Sequence, residues 1–127
     1  MADVAVVADG LVLLVRYEDV SRYDGQRGWF LPDDYLANGE HPDAAARRIL
    51  REQAALELDP ALAEIESFAN GAWHLIFHYR AAAPAPDAVR PGANVATAEW
   101  FPLDALPADA EQAHEGWAGD VLSRVIT

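Results

Sequence analysis

The chain has 127 residues, of which 52% are hydrophobic and 24% are charged, a composition that indicates one globular domain with a buried core. It contains no cysteine, which excludes a disulfide framework and a thiolate metal site. The formal net charge of −12 argues against nucleic acid as a partner, because phosphate binding needs a basic surface. No apolar run is long enough to cross a bilayer, and the first residues, MADVAVV, include no basic residue. We therefore expect no membrane partner and a cytoplasmic location.

The first part of the chain predicts three short strands and two loops. Val4–Ala8 and Leu11–Tyr17 flank Asp9-Gly10, a pair typical of a hairpin turn. Trp29–Leu31 predicts a third strand, which Pro32 ends. The predicted loops are Glu18–Gly28 and Asp33–His41.

Pro42–Ala55 predicts a helix. Pro42 suits the first helical turn, and Asp43 complements the positive end of the helix dipole. The alanine-rich interior has a high helix propensity. We expect this helix to be the best defined element of the chain.

The second part of the chain predicts three more strands and a second helix. Their predicted ranges are Ile65–Phe68 and Ala72–Ala82, joined at Asn70-Gly71, then Asn94–Phe101 and the helix Ala108–Ile126. Ala83–Gly92 is rich in proline and predicts a loop. Gly116 and Gly119 weaken the second helix. Strands and two helices in this order predict an α/β sandwich built on a mixed sheet.

Two histidines on the strand Ala72–Ala82 suggest a metal site, but their spacing argues against it. His74 and His78 lie four residues apart, which is about 13 Å along a strand. This distance is too long for both to bind one ion. We expect both histidines to be packed or exposed.

The segment from Leu31 to Leu56, LPDDYLANGEHPDAAARRILREQAAL, has the spacing of a Nudix box. That pattern runs Gly, five residues, Glu, seven residues, Arg-Glu, an apolar residue, any residue, Glu-Glu, any residue, Gly and an apolar residue. The chain keeps it at Glu40, Arg48, Leu50, Glu52 and Leu56. It departs from it at Asp34 and Ala55, which replace glycines, and at Ile49 and Gln53, which replace glutamates.

Other segments extend the likeness over most of the chain: VAVVADGLVLLVRY, GWFLP and AEWFPLDALP. The chain therefore resembles the Nudix hydrolase family, as a divergent member with a degenerate box. The resemblance implies a Nudix-type α/β/α sandwich with a mixed β-sheet. It also implies a single domain over residues 1–127, with the box region at 34–56.

The resemblance bears directly on metal binding. In Nudix hydrolases, the positions of Ile49, Glu52 and Gln53 are glutamates that hold divalent cations against the substrate diphosphate. Mg²⁺ prefers oxygen ligands, and a bound metal both activates water and neutralises charge on phosphate. Ile49 has no ligand atom and Gln53 offers only a neutral amide oxygen. If the protein is active, Mg²⁺ or Mn²⁺ is the implied cofactor, and Glu52 is the candidate catalytic residue.

The candidate metal ligands are Glu52, Gln53 and Glu99. Glu99 is included because some Nudix enzymes recruit an acid from outside the box; the alternative is an exposed strand residue. We interpret Asp33 and Asp34, at the positions of the family's paired glycines, as solvated loop residues, or one of them as the cap of a local turn; the alternative is that they place oxygen near the start of the helix. The resemblance further implies a salt bridge between Glu40 and Arg48 that fixes the loop to the helix.

Candidate substrate-binding residues precede the box. They are Arg16, Arg27 and Trp29, with Arg22, Tyr17 and Tyr23 as further candidates. Arg offers bidentate contacts to phosphate, and aromatic rings can stack on a base or a sugar. The alternative is that Trp29 packs in the core and that the arginines offset an acidic surface.

Three hypotheses for function follow. The first is a Nudix-like hydrolase of a nucleoside diphosphate-linked small molecule, with impaired or altered metal-dependent catalysis. The second is a non-catalytic Nudix-fold module that binds a small ligand. The third is an interaction role, with a homodimer as one form.

Overall fold

The computed structural model describes residues 1–87 and 89–126, apart from the side chain of Asn70. Its strands are β1 (Ala2–Ala8), β2 (Leu11–Tyr17), β3 (Asp33–Asp34), β4 (Ala61–Asn70), β5 (Ala72–Ala82) and β6 (Val95–Pro102). Its helices are α1 (Pro42–Ala54), a short 3₁₀ helix (Asp109–Glu111) and α2 (Trp117–Val125).

The strands form one mixed sheet in the order β4-β5-β1-β2-β6, with β3 paired to β1. The pair of β1 and β5 is parallel, and the other pairs are antiparallel. Asp3 of β1 lies opposite His78 of β5 and opposite Asp33 of β3. The predicted mixed sheet is thus confirmed, and its N-terminal strand lies in the centre.

Helix α1 covers one face of the sheet. The ring nitrogen Nδ1 of His41 accepts a hydrogen bond from the backbone N–H of Asp43 and caps the first turn. The helix ends at Ala54, and Ala55 follows in the left-handed conformation with φ of 56°. Leu50 packs against β1 and β2 in a core layer with Leu13, which is fully buried.

Helix α2 covers the opposite face. Its buried residues Val121 and Leu122 pack with Leu14 and Trp29 in a second core layer. With α1 on one face and α2 on the other, the α/β/α sandwich is confirmed.

The largest differences from the predicted elements lie in three places. Trp29–Leu31 forms only isolated bridges, from Phe30 to Val15 and from Trp29 to Gln112, and the following segment, predicted as loop, contains β3. The second helix begins at Trp117 instead of Ala108, because Gly116 lies before it with φ of 99°. Strand β4 begins at Ala61, four residues before the predicted start.

Two further expectations concern parts of the chain outside the sheet core. The predicted loop at residues 83–92 contains Ala88, which lies outside the described residues, and neither a helix nor a strand is found between Ala83 and Gly92 in the rest of it. Among the described helices, none has the length and the apolar character needed to cross a membrane.

Candidate functional site

The box loop is fixed to α1 by the guanidinium of Arg48. Its Nε donates to Glu40 Oε2 at 2.9 Å, and its Nη2 donates to Glu40 Oε1 at 3.0 Å and to the carbonyl of Tyr35 at 2.9 Å. The hydrogen bond from Arg48 lowers the pKa of Glu40 to about 2. The structure therefore contains the bidentate pair between Glu40 and Arg48 that the resemblance implied.

The same guanidinium contacts two more carboxylates. Arg48 Nη1 lies 3.1 Å from Asp34 Oδ2 and 3.3 Å from Glu52 Oε2. Arg22 also binds Asp34, at 2.7 Å. Asp34 is therefore buried and paired with two arginines, and its interpretation as a solvated loop residue is wrong. Glu52, the remaining box carboxylate, is 58% exposed and pairs with Arg48 one turn away.

Ile49 of α1 lies in a buried apolar environment. Its side chain is fully buried and packs with Ala2 and Ala45, with Leu36 and Phe77 at the edge of the cluster. These neighbours offer no oxygen to a cation. The box position that carries a glutamate in the family is here part of the contact between α1 and the sheet.

Gln53 uses both ends of its amide inside the protein. Its Nε2 donates to the carbonyl of Asp33 at 2.8 Å, and its Oε1 accepts from the hydroxyl of Tyr17 at 2.8 Å. All three residues are buried. The Tyr17 ring is held in place by Tyr23, which stacks on it at 3.9 Å between ring centroids. Gln53 thus joins the end of α1 to β2 and β3.

The hydroxyl of Tyr17 joins Asp33 to Gln53. It accepts from the backbone N–H of Asp33, and its closest acceptor is Gln53 Oε1 at 2.8 Å. Asp33 Oδ1 lies within hydrogen-bond distance of the same hydroxyl, at 3.1 Å. Burial raises the pKa of Asp33 well above its usual range, and the nearby charge of Asp3 adds to this. The interpretation of Asp33 as solvated is therefore also wrong, because the side chain is 3% exposed.

The residues at the box positions do not fit a divalent cation. The side chain of Ile49 has no atom that can bind a metal, and both polar atoms of the Gln53 amide, Oε1 and Nε2, are already hydrogen-bonded. Glu52 is the one carboxylate left of the three, and it faces a guanidinium. A magnesium ion takes six oxygen ligands in near-octahedral geometry, with carboxylates supplying the charge. In place of a metal, Arg48 supplies the positive charge among Asp34, Glu40 and Glu52.

Glu99 does not join Glu52. It lies on β6 opposite Leu14, whose side chain packs on the α2 face of the sheet. Its neighbours Ala98 and Trp100 point to the α1 face instead. Glu99 is exposed, which was the alternative interpretation, and within the described part of the chain the proposed set of Glu52, Gln53 and Glu99 does not come together.

The candidate substrate residues are divided between the core and the surface. Trp29 is buried against Phe101 at 4.9 Å between ring centroids, so it packs in the core as the alternative had it. The guanidinium of Arg16 covers the Trp29 ring at 4.5 Å. Arg16 and Arg27 both line a shallow depression of about 370 Å³ with Glu111.

A larger cavity of about 420 Å³ opens beside the box loop. Its aromatic lining consists of Tyr23, Phe30, Tyr35, Phe68, Trp73 and Trp117. Its polar lining includes Asp24, Asp33, His74 and His114. The size and the mixture of aromatic walls with a few polar groups are typical of a small-molecule site. Of the substrate-binding candidates from the sequence, Tyr23 lines this cavity, whereas Arg16, Arg27 and Trp29 do not.

On β5, the buried side chain of His78 is held between two carboxylates. Its Nδ1 lies 2.7 Å from Asp3 Oδ2, and its Nε2 lies 2.9 Å from Glu66 Oε1. Burial lowers the pKa of His78, but the bonds to Asp3 and Glu66 outweigh this and raise it. Glu64, Glu66 and His78 are close enough to hold one ion, yet Arg124 already pairs with both glutamates, at 3.1 and 3.2 Å. We interpret this group as an ion-pair network between β4, β5 and α2.

Comparison with known families agrees with this architecture. The family model of the NUDIX domain matches residues 2–123, and the chain therefore belongs to the Nudix family. The search of curated proteins finds no match.

Three solved structures show the extent of the fold similarity. A MutT NUDIX hydrolase from Burkholderia pseudomallei is 22% identical with a TM-score of 0.79, over 98% of this chain and 95% of that chain. The E. coli dihydroneopterin triphosphate pyrophosphohydrolase is 16% identical with a TM-score of 0.73, over 98% of this chain and 94% of that chain. The NUDIX domain of Shewanella oneidensis NrtR, solved with ADP ribose, is 18% identical with a TM-score of 0.72, over 99% of this chain and 86% of that chain. At these identities the likeness concerns the fold.

Proposed function

We propose that this chain is a Nudix-domain protein that binds a small molecule in the aromatic cavity without hydrolysing it through a box-bound metal. The observation that carries the proposal is the amide of Gln53, whose donor and acceptor are both bonded to buried partners. An amide in this position serves packing and not metal binding. This was the second of the three hypotheses from the sequence.

The cavity supports the binding part of the proposal. Its aromatic walls supply apolar and stacking contact, while Asp33 and His74 supply polar contacts. Several of its aromatic rings are left unpacked, since Trp73 is 69% exposed and Tyr35 is 48% exposed. Exposed aromatic rings around a concave site mark a place where a ligand can bury them. The NUDIX domain of NrtR, solved with ADP ribose, is an example of a protein of this fold in complex with a small molecule.

Hydrolysis of a nucleoside diphosphate-linked small molecule remains the second candidate. One observation favours it, which is that Glu52 keeps its box position on the exposed side of α1. Mg²⁺ or Mn²⁺ would be its cofactor, by analogy with the family. Arg48 competes with such an ion for Glu52, and Ile49 and Gln53 offer it no charge, so we rank this function below ligand binding.

A paired experiment separates the two functions. For hydrolysis, the native chain and Glu52→Gln are incubated with nucleoside diphosphate-linked compounds and millimolar Mg²⁺ or Mn²⁺, and released phosphate or nucleotide is measured. For binding, a panel of nucleobases, nucleosides and nucleotides is tested for thermal stabilisation of the native chain in EDTA. The proposal predicts stabilisation in EDTA by at least one class of these compounds and no turnover that depends on Glu52. Metal-dependent turnover that disappears in Glu52→Gln would refute it and establish the hydrolase.

The remaining expectations on partners and location are unchanged by the fold. We retain the small-molecule ligand as the main partner, with no nucleic acid and no membrane. The homodimer and the cytoplasmic location stay predictions from the sequence. Sedimentation at micromolar concentration tests the first of these two.

A further inference from the structure

The lining of the aromatic cavity includes a carboxyl group, that of Asp33, with one oxygen that has no hydrogen-bond partner among the described residues. Asp33 lines the cavity although its side chain is only 3% exposed. Its Oδ1 is bonded to the hydroxyl of Tyr17, and no partner for Oδ2 is found among the described residues. No fully buried side-chain oxygen of the described chain is left without a hydrogen bond, so Oδ2 keeps a small accessible surface, and Asp33 lines the cavity. An acceptor is therefore presented to whatever occupies the space.

The electrostatic surroundings of this oxygen are acidic. Asp3 lies directly opposite Asp33 in the pairing of β1 and β3, and Asp34 and Asp24 also act on its charge. Arg22 and Arg48 both bind the neighbouring carboxylate of Asp34. None of the described residues that line the cavity is Lys or Arg. Met1 also lines the cavity, and its amino group donates to the carbonyl of Leu75 at 3.2 Å; burial lowers the pKa of this amino group.

These features select against a phosphorylated ligand. Proteins hold phosphate groups with arginine, lysine, a metal ion or an exposed helix start. The described lining of this cavity contains no arginine and no lysine. The box residues do not fit a metal ion, and the start of α1 is already capped by His41. A polyanion would also meet Asp24 at the rim and the net charge of −12 of the whole chain.

The same features fit a flat ligand that donates N–H groups. Phe30 and Trp117 form one aromatic side of the cavity, and Phe68, stacked on His74 at 5.0 Å between ring centroids, forms another. A planar heterocycle can lie against such rings. An amino or amidine group on its edge would point N–H donors at Asp33 Oδ2, and a positive charge would relieve the repulsion among the buried acids.

We infer that the ligand of this cavity is an unphosphorylated planar nitrogen heterocycle with an amidine-type or guanidine-type edge, which donates its N–H groups to Asp33. The inference rests on the proposed function, because it names the ligand class of the same cavity. It differs from the nucleotide-linked class that the family resemblance implies.

The test is calorimetric titration of the native chain at pH 7 in EDTA with two matched pairs of compounds. The first pair is 2-aminobenzimidazole and 2-methylbenzimidazole, which have the same shape but differ in the N–H donors of the edge. The second pair is adenosine and ADP, which differ only in phosphate. We expect 2-aminobenzimidazole to bind at least about tenfold more tightly than its methyl analogue, since a charge-assisted hydrogen bond is worth about a factor of ten or more. We expect adenosine to bind more tightly than ADP, because none of the described residues that line the cavity is a Lys or an Arg that could bind phosphate.

Variants assign the effect to Asp33. Asp33→Asn keeps the shape of the side chain but removes its acidity, and we expect it to lose the preference for the amino compound. Asp9→Asn is the matched control, because Asp9 lies in the turn at the far end of β1, about 20 Å along the strand from Asp3. Thermal unfolding of both variants verifies that they fold. The comparison of the two benzimidazoles on the native chain does not depend on either variant.

The inference and the proposed function fail in different measurements. Equal binding of the two benzimidazoles, an unchanged preference in Asp33→Asn, tighter binding of ADP than of adenosine, or no binding of any compound overturns the inference. Tight ADP binding in EDTA would do so while it leaves the proposed ligand-binding function in place. Failure of the proposed function is seen in a different measurement, the turnover that depends on metal and on Glu52.

Discussion

The side-chain amide of Gln53 donates a hydrogen bond of 2.8 Å to the main-chain carbonyl of Asp33. This bond ties the last turn of α1 to the strand that begins the box loop. A glutamate in its place could not donate unless it were protonated. The contact explains how the loop–helix–loop keeps its shape with an uncharged residue at a family metal position.

The first prediction concerns the restoration of that glutamate. Gln53→Glu should lower the free energy of unfolding at pH 7 by about 1–3 kcal/mol, because a carboxylate would face the Asp33 carbonyl in a buried place. Urea unfolding at pH 7 and pH 5 measures it, and the loss should shrink at the lower pH, where the new carboxyl can hold a proton. Gln26→Glu is the control, since Gln26 only accepts a bond, from the N–H of His114, and a carboxylate can accept it too. A Gln53→Glu variant that is as stable as the native chain would contradict the structural role of the amide.

The second prediction concerns the other lost glutamate. Ile49→Glu should destabilise the chain by about 3 kcal/mol or more, because it would bury a charge in an apolar cluster with Ala45 and Phe77. Ile49→Val removes one methylene at the same site and should cost about 0.5–1.5 kcal/mol. Thermal and urea unfolding compare the two. A stable Ile49→Glu protein that gains stability with Mn²⁺ would show that the site can still admit a metal.

The third prediction concerns the end of α1. Ala55 holds a left-handed φ of 56° at the position of the last glycine of the box. Ala55→Gly should raise the free energy of unfolding by about 0.5–1 kcal/mol, since only glycine adopts this conformation without a clash of Cβ. Ala54→Gly, one residue earlier and fully buried in the helix, should lower it by about 1 kcal/mol or more. Denaturant titrations should therefore show a higher free energy of unfolding for Ala55→Gly and a lower one for Ala54→Gly.

The fourth prediction concerns acid stability. The pKa of Glu40 falls to about 2 in the folded chain through its bond to Arg48, from an ordinary value of 4.5. Its contribution to stability is therefore complete above about pH 4.5 and is lost as the pH falls towards 2. Glu40→Gln should be less stable than the native chain at pH 7, and the difference should vanish near pH 2. Urea midpoints between pH 2 and pH 7 give the curve, and a difference that does not change with pH would exclude the ion pair as its cause.

The fifth prediction runs in the opposite direction with pH. Burial raises the pKa of Asp33, so the folded state holds a proton that the unfolded state releases. The stability of the native chain should therefore fall as the pH rises above the ordinary value of 3.8. Asp33→Asn should be the more stable protein at pH 7, with an advantage that disappears at pH 3. Residues that serve binding can lower the stability of the folded chain. If Asp33→Asn is instead less stable than the native chain at pH 7, Asp33 has a purely structural role.

Much of the fold could be predicted from local sequence. Pro42 and the alanines after it identified α1, and Asp9-Gly10 identified the first hairpin, because both signals act over a few residues. β3 was missed because two residues after Pro32 carry no strand periodicity. It exists through its pairing with β1, which no local signal predicts.

The site was predicted less well, since its contacts join distant parts of the chain. The substitutions at Ile49 and Gln53 could be identified from the family spacing, but the partners that replaced the metal could not. Tyr17 lies 36 residues from Gln53, and Arg22 lies 12 residues from Asp34. The burial of Asp33 and Asp34 depends on these contacts, so residues that look solvated in a polar loop are in fact enclosed.

The network of Tyr17, Asp33 and Gln53 also has an evolutionary consequence. A single mutation that restores one family glutamate meets either the apolar cluster at Ile49 or the bonded carbonyl at Asp33, and lowers stability before any gain in metal binding. The two positions have different partners, so the losses of stability should add, and a double change would not relieve either one. A return to the family's metal site would therefore require changes in Tyr17, Asp33 or the apolar cluster as well as at the two box positions.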